Sequence, residues 1–274
     1  MDGIQELEQM CVQIRKDIVR AIGGAGTGHI GGSLSIVEAL VCLYFREMNV
    51  DPQNPQMADR DRLVLSKGHA GPALYAVLAE KGYFDRDWLD TLNEPGTNLP
   101  SHCDMLRTPG VDMTAGSLGQ GFACAVGMAK AAKACGSPAR VFAVIGDGES
   151  QEGSVWEAAM FAGAHRLDNL IAFTDYNNAQ ISGTVTEILT LEPLEDKWRA
   201  FNFAARTVAD GNDVAQVAQA VEWAKEQDRP AMLILKTVKG KGVSFAEKAG
   251  VGSHSMTLTQ DDIDEAYEEL EARG

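Results

Sequence analysis

The chain has 274 residues, of which 39 are acidic and 24 are basic, so its formal net charge is −15. This acidic balance argues against nucleic acid and anionic membranes as partners, because both attract basic protein surfaces. Hydrophobic residues make up 45% of the chain, a fraction that is typical of a globular protein and excludes a disordered acidic tail.

The first part of the chain is predicted to hold helices separated by a glycine-rich segment. Apolar residues at three- and four-residue steps predict an amphipathic helix over 4–22. Six glycines within residues 23–32 then indicate irregular backbone. Ser33 is expected to cap a second helix over 34–48. Further predicted elements are a strand over 62–65 and a helix over 71–80 that Gly82 ends.

From residue 118 onward, helical and strand patterns alternate. In chain order they predict a helix over 118–134, a strand over 140–148, a helix over 150–164, strands over 169–178 and 203–210, a helix over 213–227, a strand over 230–239 and an acidic, exposed helix over 260–272. Continuously apolar strands are typical of a parallel sheet that is covered on both faces. We therefore expect an α/β fold, a doubly wound and mainly parallel sheet with helices on both faces, as a single domain over residues 1–274.

Cysteine usage and the N-terminal residues indicate a cytoplasmic protein. The five cysteines include no CxxC pair, so they predict neither a disulfide framework nor a zinc site. The first ten residues carry three acids and no apolar block, unlike a secretory signal. The apolar stretch over 35–45 contains Glu38 and is too short to span a bilayer, so no membrane partner is expected.

Polar residues follow two neighbouring buried strands, at the edge where parallel sheets bind ligands. Asp147 lies in a Gly-Asp-Gly turn, and Asn177 follows the next strand about one βαβ unit later. Carboxylate and amide oxygens suit Mg²⁺ or Ca²⁺, and Gly148 would let a backbone N–H approach an anion. The turn alone is more simply a strand end at which Asp147 caps a helix. With Asn177 and Asn178 at this spacing, a diphosphate–metal site is the better interpretation.

This pair of motifs resembles the thiamine diphosphate-binding fingerprint, and further motifs resemble the transketolase family. In the family's order and spacing, the chain contains GHIGGSLS (28–35), DRLVLSKGHA (61–70), LPSHCD (99–104), TAGSLGQGFACAVGMA (114–129), GDGESQEGSVWEA (146–158) and DYNNAQISG (175–183), with a weaker match at GSHSM (252–256). The resemblance implies thiamine diphosphate and Mg²⁺ as cofactors, with Ca²⁺ or Mn²⁺ as possible substitutes. It implies transfer of a two-carbon ketol unit from a ketose or ketose phosphate to an aldose.

Four histidines lie in loops flanked by glycine or serine, where a single histidine is more commonly structural. Together on one face they would suit a site that handles hydroxyls, phosphate and protons. The resemblance implies that this catalytic set lines the cofactor and substrate channel: His29, His69, His102 and His254. It implies that the metal ligands are Asp147, Asn177 and the carbonyl of Ala179. It implies that the cofactor contacts are His69, Gly116, Leu118, Gly148, Glu149, Asn177 and His254, with Gly116 and Leu118 at the aminopyrimidine.

Glu149 and Glu152 also look like catalytic carboxylates after the Gly-Asp-Gly turn. Their place at a predicted helix start suits the helix dipole or a subunit contact better, and the resemblance implies such glutamates near the dimer interface. The segment from Gly26 to Gly31 matches GxGxxG, but a predicted helix precedes it where a dinucleotide site requires a strand. A nicotinamide site is therefore not expected.

In the transketolase family, the glutamate that activates the pyrimidine ring belongs to a second α/β domain. This chain ends at Gly274, after the diphosphate-binding domain, so we expect the N-terminal subunit of a split transketolase. Its partner would be a separately encoded C-terminal subunit in a heterotetramer, bound at 118–134 and 150–164. Three alternatives stay open: a deoxyxylulose-phosphate synthase-like subunit, the α subunit of a 2-oxo acid dehydrogenase, and a non-catalytic cofactor-binding interaction module.

Overall fold

The central element of the fold is a parallel sheet of five strands, which lie side by side in the order Arg62–Leu65, Val141–Gly146, Leu170–Tyr176, Ala231–Lys236 and Ala204–Val208. The computed structural model describes residues 3–272. Its strands are β1 (Thr27–Gly28), β2 (Arg62–Leu65), β3 (Val141–Gly146), β4 (Leu170–Tyr176), β5 (Ala179–Gln180), β6 (Gly183–Thr184), β7 (Ala204–Val208), β8 (Ala231–Lys236) and β9 (Met256–Thr257). Strands β1 and β9 form a separate antiparallel pair, as do β5 and β6.

Helices connect and cover these strands. They are α1 (Ile4–Ala25), α2 (Ile30–Leu34), α3 (Val37–Cys42), α4 (Gly71–Lys81), α5 (Gln120–Ala134), α6 (Gly153–Ala164), α7 (Val185–Ile188), α8 (Leu194–Ala200), α9 (Val214–Lys225), α10 (Ser244–Ala249) and α11 (Gln260–Glu271). Short 3₁₀ turns and one π-helical turn, Leu43–Glu47, complete the regular structure. Across residues 3–272, none of the helices combines the length and apolar character that crossing a bilayer requires.

Alternate residues of each central strand enter different hydrophobic cores. Phe142 and Val144 of β3 pack with α1, α3, α4 and α9 on one face of the sheet. Val141 and Ala143 pack with α5 and α6 on the other face. Because side chains alternate along a strand, a strand buried on both sides needs apolar residues at every position. The predicted doubly wound parallel fold is confirmed.

The glycine-rich segment after the first predicted helix is more regular than expected. Helix α1 continues to Ala25, and Gly31 and Gly32 lie inside α2. A Cβ on Gly31 would lie 2.2 Å from Oγ of Ser253, so this glycine permits close packing inside a helix. The prediction of irregular backbone across residues 23–32 is confirmed at Gly26, whose φ of +75° ends α1 in the left-handed region. It is wrong for residues 23–25 and 30–32, because close approach to a distant segment can require glycine as strictly as a turn does.

The predicted capping role of Ser33 is also wrong. Ser33 lies within α2, and its Oγ donates to the carbonyl of His29 at 2.8 Å. The helix expected over 34–48 is divided among the end of α2, α3 and the π-helical turn. Burial of Ser33 lets its hydroxyl bond back along the chain instead of starting a helix.

Helices later in the chain agree better with the sequence patterns. Gly82, at φ +94°, ends α4 in the left-handed conformation that favours glycine. The helix predicted from residue 150 begins at Gly153, after a 3₁₀ turn. The acidic helix α11 is exposed on one side only, since Ala266 and Leu270 are buried with residues of α1.

The carbonyl of Phe201 lies where a side chain on Gly163 of α6 would begin. A Cβ on Gly163 would stand 1.8 Å from that oxygen, whereas Gly127 of α5 has open space around it. We expect Gly163→Ala to lower the free energy of unfolding by roughly 1–3 kcal/mol, the usual cost of overpacking. The matched control, Gly127→Ala, should raise it by up to about 1 kcal/mol through helix propensity. Urea denaturation measures both, and equal effects would contradict the packing argument.

Candidate active site

A cavity of about 400 Å³ opens at the carboxyl edge of the sheet, between the ends of β3 and β4. The two strands are in register there, with Gly146 opposite Asp175. The N–H of Asp147 donates to the carbonyl of Asp175 at 3.1 Å. The ends of the two strands therefore bring the predicted metal-binding side chains to one place, as expected from the sheet topology.

Asp147 is almost fully buried beside this cavity. Its Oδ1 accepts the N–H of Gly148 at 2.7 Å, and its Oδ2 accepts the N–H of Asn178 at 2.6 Å. Burial, and then repulsion from Asp175, raises the pKa of Asp147 to about 6. A buried carboxylate in this position would be stabilised by a nearby cation.

Asn177 directly follows β4, and Ala179 begins β5. Oδ1 of Asn177 accepts the N–H of Ala179 at 3.1 Å, and Nδ2 of Asn177 donates to Oδ2 of Asp175 at 2.9 Å. The carbonyl of Ala179 accepts a hydrogen bond from Nζ of Lys239 at 2.9 Å. The predicted metal ligands share one cavity, and four of their oxygens accept hydrogen bonds within the chain: both carboxylate oxygens of Asp147, Oδ1 of Asn177 and the carbonyl of Ala179.

A buried ion pair lies beneath these residues. Nζ of Lys67 is 2.5 Å from Oδ2 of Asp175, and both side chains are almost fully buried. Lys67 also donates to the carbonyl of Gly32 at 2.9 Å, and Asp175 accepts the hydroxyls of Ser35 and Thr237. Burial alone would raise the pKa of Asp175, but the Lys67 ammonium and these hydrogen bonds hold the pKa below its usual value. The pair joins α2, β4 and the loop after β8.

The four predicted histidines converge on this cavity. The ring centroid of His29 lies 5.7 Å from that of His69 and 5.3 Å from those of His102 and His254. The rings of His69 and His254 are 4.9 Å apart. The β1–β9 pair lies directly beside two of these residues, so it brings a histidine near each end of the chain into the cluster. His165 instead ends α6 at the surface.

The surroundings of the four imidazoles favour the neutral form. Burial lowers the pKa of His29, His69, His102 and His254, with further lowering by positive or imidazole neighbours at three of them. Burial, and then repulsion from Lys239, lowers the pKa of His254 to about 4. Neutral imidazole has one donor and one acceptor nitrogen, so the cluster can bond hydroxyl groups in both directions.

Lys239 is a cavity residue that sequence reasoning missed. It is buried, and its Nζ lies 3.3 Å from Nδ1 of His254 as well as bonding the carbonyl of Ala179. Burial, and then repulsion from Lys67, lowers the pKa of Lys239 to about 8. The available signal was the Lys-Gly-Lys-Gly segment just after a buried strand, where ligands bind in parallel sheets. Lys67 was equally visible beside His69 in the Ser-Lys-Gly-His motif.

Glu149 joins three segments around the site. Its Oε1 accepts the N–H of Gly119 at 2.8 Å and the hydroxyl of Ser66, and its Oε2 accepts the N–H of Gly146 at 3.0 Å. Burial raises the pKa of Glu149. Both carboxylate oxygens are thus bonded to the protein, an arrangement suited to holding the loop before α5. Glu152, by contrast, is exposed at the start of α6.

The rest of the cavity has space and polar groups that fit a bound diphosphate and a metal. A Cβ on Gly116 would have open space around it. A Cβ on Gly148 would stand only 3.1 Å from Cβ of Gln180, so the absence of a side chain at Gly148 keeps this part of the cavity open. Oε1 of Gln180 is buried and has no hydrogen-bond partner within the described part of the chain. Leu118 and Ile181, both exposed, offer apolar surface at the mouth.

The donor set favours a hard cation. Across residues 3–272, no three histidine, cysteine, aspartate or glutamate side chains are grouped so that they could hold a metal ion. A metal at Asp147 would therefore need amide, carbonyl and ligand oxygens as well, which are the donors that Mg²⁺ prefers.

Comparison with known proteins gives full-length matches. A family model described as "Transketolase, thiamine diphosphate binding domain" matches residues 7–272. The chain is 57% identical over 270 residues to the 6-deoxy-6-sulfo-D-fructose transketolase subunit SqwG of Clostridium sp. strain MSTE9, covering 98% of each chain. It is 41% identical over 267 residues to one of the subunits of the apulose-4-phosphate transketolase of Actinobacillus succinogenes, covering 97% of this chain and 96% of that one.

A solved structure of a longer protein matches as well. The transketolase of Campylobacter jejuni superposes with a TM-score of 0.91 at 31% sequence identity. The match covers 98% of this chain and 43% of that one. The similarity thus includes the whole described fold and less than half of the longer chain.

Removing the buried ammonium under the site should leave Asp175 as an uncompensated charge. We expect Lys67→Met to lower the free energy of unfolding by about 3–5 kcal/mol. As a matched control, Lys133→Met breaks the exposed pair with Asp168, whose atoms are 2.7 Å apart, and should cost less than about 1 kcal/mol. Urea denaturation of both variants measures the difference, and losses of similar size would show that Asp175 does not depend on Lys67.

Proposed function

This chain belongs to the transketolase family, and we propose that it is the thiamine diphosphate-binding subunit of a two-component transketolase. We further propose that residues 1–274 form one domain, which holds the metal and the diphosphate. The observation that carries it is the cavity where four neutral histidines meet Asp147 and Asn177. Family members are transferases, and two relatives matched over nearly their whole lengths are named as transketolase subunits.

When bound, thiamine diphosphate supplies the carbanion-stabilising chemistry that cleaves a carbon–carbon bond beside a ketone. We assign Asp147, Asn177 and the carbonyl of Ala179 to Mg²⁺, with Ca²⁺ or Mn²⁺ as possible substitutes. The N–H of Gly148, which donates to Oδ1 of Asp147 in this structure, would turn to the diphosphate once that carboxylate oxygen binds the metal. The ammonium of Lys239 would release the carbonyl of Ala179 and donate to the diphosphate. Hydrogen bonds from an ammonium to phosphate are charge-assisted and therefore strong.

The loop glycines and histidines would hold the rest of the cofactor and the sugar. Gly116 and Leu118 would contact the aminopyrimidine, positioned by the bonds of Glu149 to the loop before α5. The histidines His29, His69, His102 and His254 would bond sugar hydroxyls and stabilise negative charge that develops on oxygen. Their lowered pKa values support this role, because a neutral imidazole can donate to one oxygen and accept from another.

The partner in this proposal is a separately encoded C-terminal transketolase subunit in a heterotetramer. We place its contact surface on α5 and α6, next to the cavity. Met160 is 63% exposed and Phe161 is 44% exposed on α6, and Ala123 and Gly127 leave the outer side of α5 without bulky groups. Apolar surface of this kind beside a functional site commonly marks a protein interface.

The substrates in this proposal are a ketose donor and an aldose acceptor. We favour a ketose that carries an anionic group, sulfonate or phosphate, because both named relatives act on sugars of that kind by their names. Reaction in the cytoplasm is part of the same proposal, in keeping with the five free cysteines.

Reconstitution tests the two-component function. The full chain with Mg²⁺ and thiamine diphosphate should show no ketol transfer by itself. Transfer from 6-deoxy-6-sulfofructose to an aldose should appear when a separately expressed C-terminal transketolase subunit is added, with a ketose phosphate as the alternative donor. Chromatographic measurement of both sugars reports the reaction. Full activity of the chain alone would sink the two-component proposal.

Two substitutions should separate cofactor binding from turnover. Asp147→Ala should abolish metal-dependent binding of thiamine diphosphate in titration calorimetry, because it removes the carboxylate ligand. His102→Ala should bind the cofactor nearly as tightly as the unchanged chain but lower the reconstituted turnover by about 10²-fold, a typical effect of losing a donor to developing charge. His165→Ala is the control, since that histidine is exposed away from the cavity. An unchanged rate for His102→Ala would count against its role.

A further inference from the structure

The loop after β8 has a tightly constrained backbone around Lys239. Gly240 and Gly242 have φ values of +83° and +94°, in the left-handed region. A Cβ on Gly240 would lie 2.6 Å from the backbone carbon of Ala246. Close packing therefore limits the paths that residues 237–242 can take, and small changes in the loop would move the ammonium of Lys239 in the cavity.

Two side chains from distant parts of the fold hold this loop on either side of Lys239. Oδ1 of Asn212 accepts the N–H of Val238 at 2.8 Å. Nε of Arg15 donates to the carbonyl of Lys241 at 2.9 Å. Both anchors bond backbone atoms, so they fix the loop without touching the Lys239 side chain.

One carboxylate joins the two anchors. Oε1 of Glu38 accepts a hydrogen bond from Arg15 at 2.6 Å, and Oε2 accepts one from Nδ2 of Asn212 at 3.0 Å. Glu38 is 4% exposed and Arg15 is 6% exposed. These three residues also line a second cavity, of about 300 Å³, separate from the active-site cavity. Glu38 thus reaches the site only through its partners.

We propose that Glu38 is a positioning residue, which sets the place of Lys239 for diphosphate by holding Arg15 and Asn212 against the two ends of the loop. The inference rests on the proposed function in one respect, that Lys239 bonds the diphosphate. The carboxylate is needed because both of its oxygens face donors. In glutamine, one of these oxygens becomes an NH₂ group, which cannot accept a hydrogen bond from either anchor.

Glu38, Arg15 and Asn212 together form a clamp on the loop over 237–242. Hydrogen–deuterium exchange of the full chain tests this clamp without any ligand. Glu38→Gln should speed exchange in the peptide over 237–242 by about tenfold or more, since its amides open more readily once an anchor is lost. Asp17→Asn is the matched control: Asp17 is also a buried carboxylate that bonds an arginine, Arg86, but it does not contact the loop. Unchanged exchange in Glu38→Gln, or an equal increase in both variants, would overturn the proposal.

A second variant covers the case in which Glu38→Gln does not fold. Asn212→Ala removes one anchor at a half-buried position. It should speed exchange over 237–242 in the same way while leaving the exchange of β3 and β4 unchanged. If exchange over 237–242 in Asn212→Ala is no faster than in the unchanged chain, this result alone overturns the clamp.

Calorimetric titration with Mg²⁺ and thiamine diphosphate tests the link to Lys239. Glu38→Gln, or Asn212→Ala in its place, should weaken binding by about tenfold, as is common when the partner of a ligand residue is lost. In a background of Lys239→Met, the same change should have no further effect, because its route to the ligand is gone. If the losses of binding free energy from the two substitutions add in full, the positioning role is overturned. The titration uses the chain reconstituted with a C-terminal subunit. If the unchanged complex does not bind the cofactor, the proposed function fails, and the exchange experiment still tests whether Glu38 holds the loop.

Discussion

The buried pair of Lys67 and Asp175 is the interaction on which the organisation of the site depends. Removing two charges from water is costly, so the pair is stable only where other groups complete its hydrogen bonds. Here those groups are the carbonyl of Gly32, the hydroxyls of Ser35 and Thr237, and the amide of Asn177. These groups come from three segments around the cavity: α2 with its C-terminal cap Ser35, the end of β4 and the loop after β8. Satisfying one carboxylate and one ammonium therefore fixes α2, the end of β4 and the loop after β8 in relation to one another.

The same principle recurs around the cavity with different donors. Glu149 uses both carboxylate oxygens to hold the backbone at Gly119 and Gly146, and Glu38 uses both of its own to hold two distant side chains. None of these charged groups needs to meet a substrate. The histidines that face the cavity are kept neutral by burial. Charge thus shapes the structure around the site, while neutral groups face the space where a sugar would bind.

Much of the fold and the outline of the site could be predicted from the sequence, because those signals are local. Continuous apolar runs mark the buried strands, and the residues after them, Asp147 and Asn177, mark the ligand-binding edge. The motifs also led to the correct family. Long-range contacts could not be predicted: Gly31 is a glycine because Ser253 packs against it, and Ser33 bonds within a helix instead of starting one. Glu38 was visible only as a charge in an apolar stretch, since its partners lie far away in the chain.

The two-residue ladder of β1 and β9 has a consequence for how the cavity forms. It pairs Thr27 with Thr257, and so joins segments separated by most of the chain. Contacts of such long sequence separation carry a high entropic cost of loop closure and tend to form late in folding. The strand ends that carry Asp147 and Asn177 require only neighbouring βαβ units. A partly folded chain would therefore hold oxygen ligands without the full histidine cluster, and the complete cavity would exist only after the two distant segments have met.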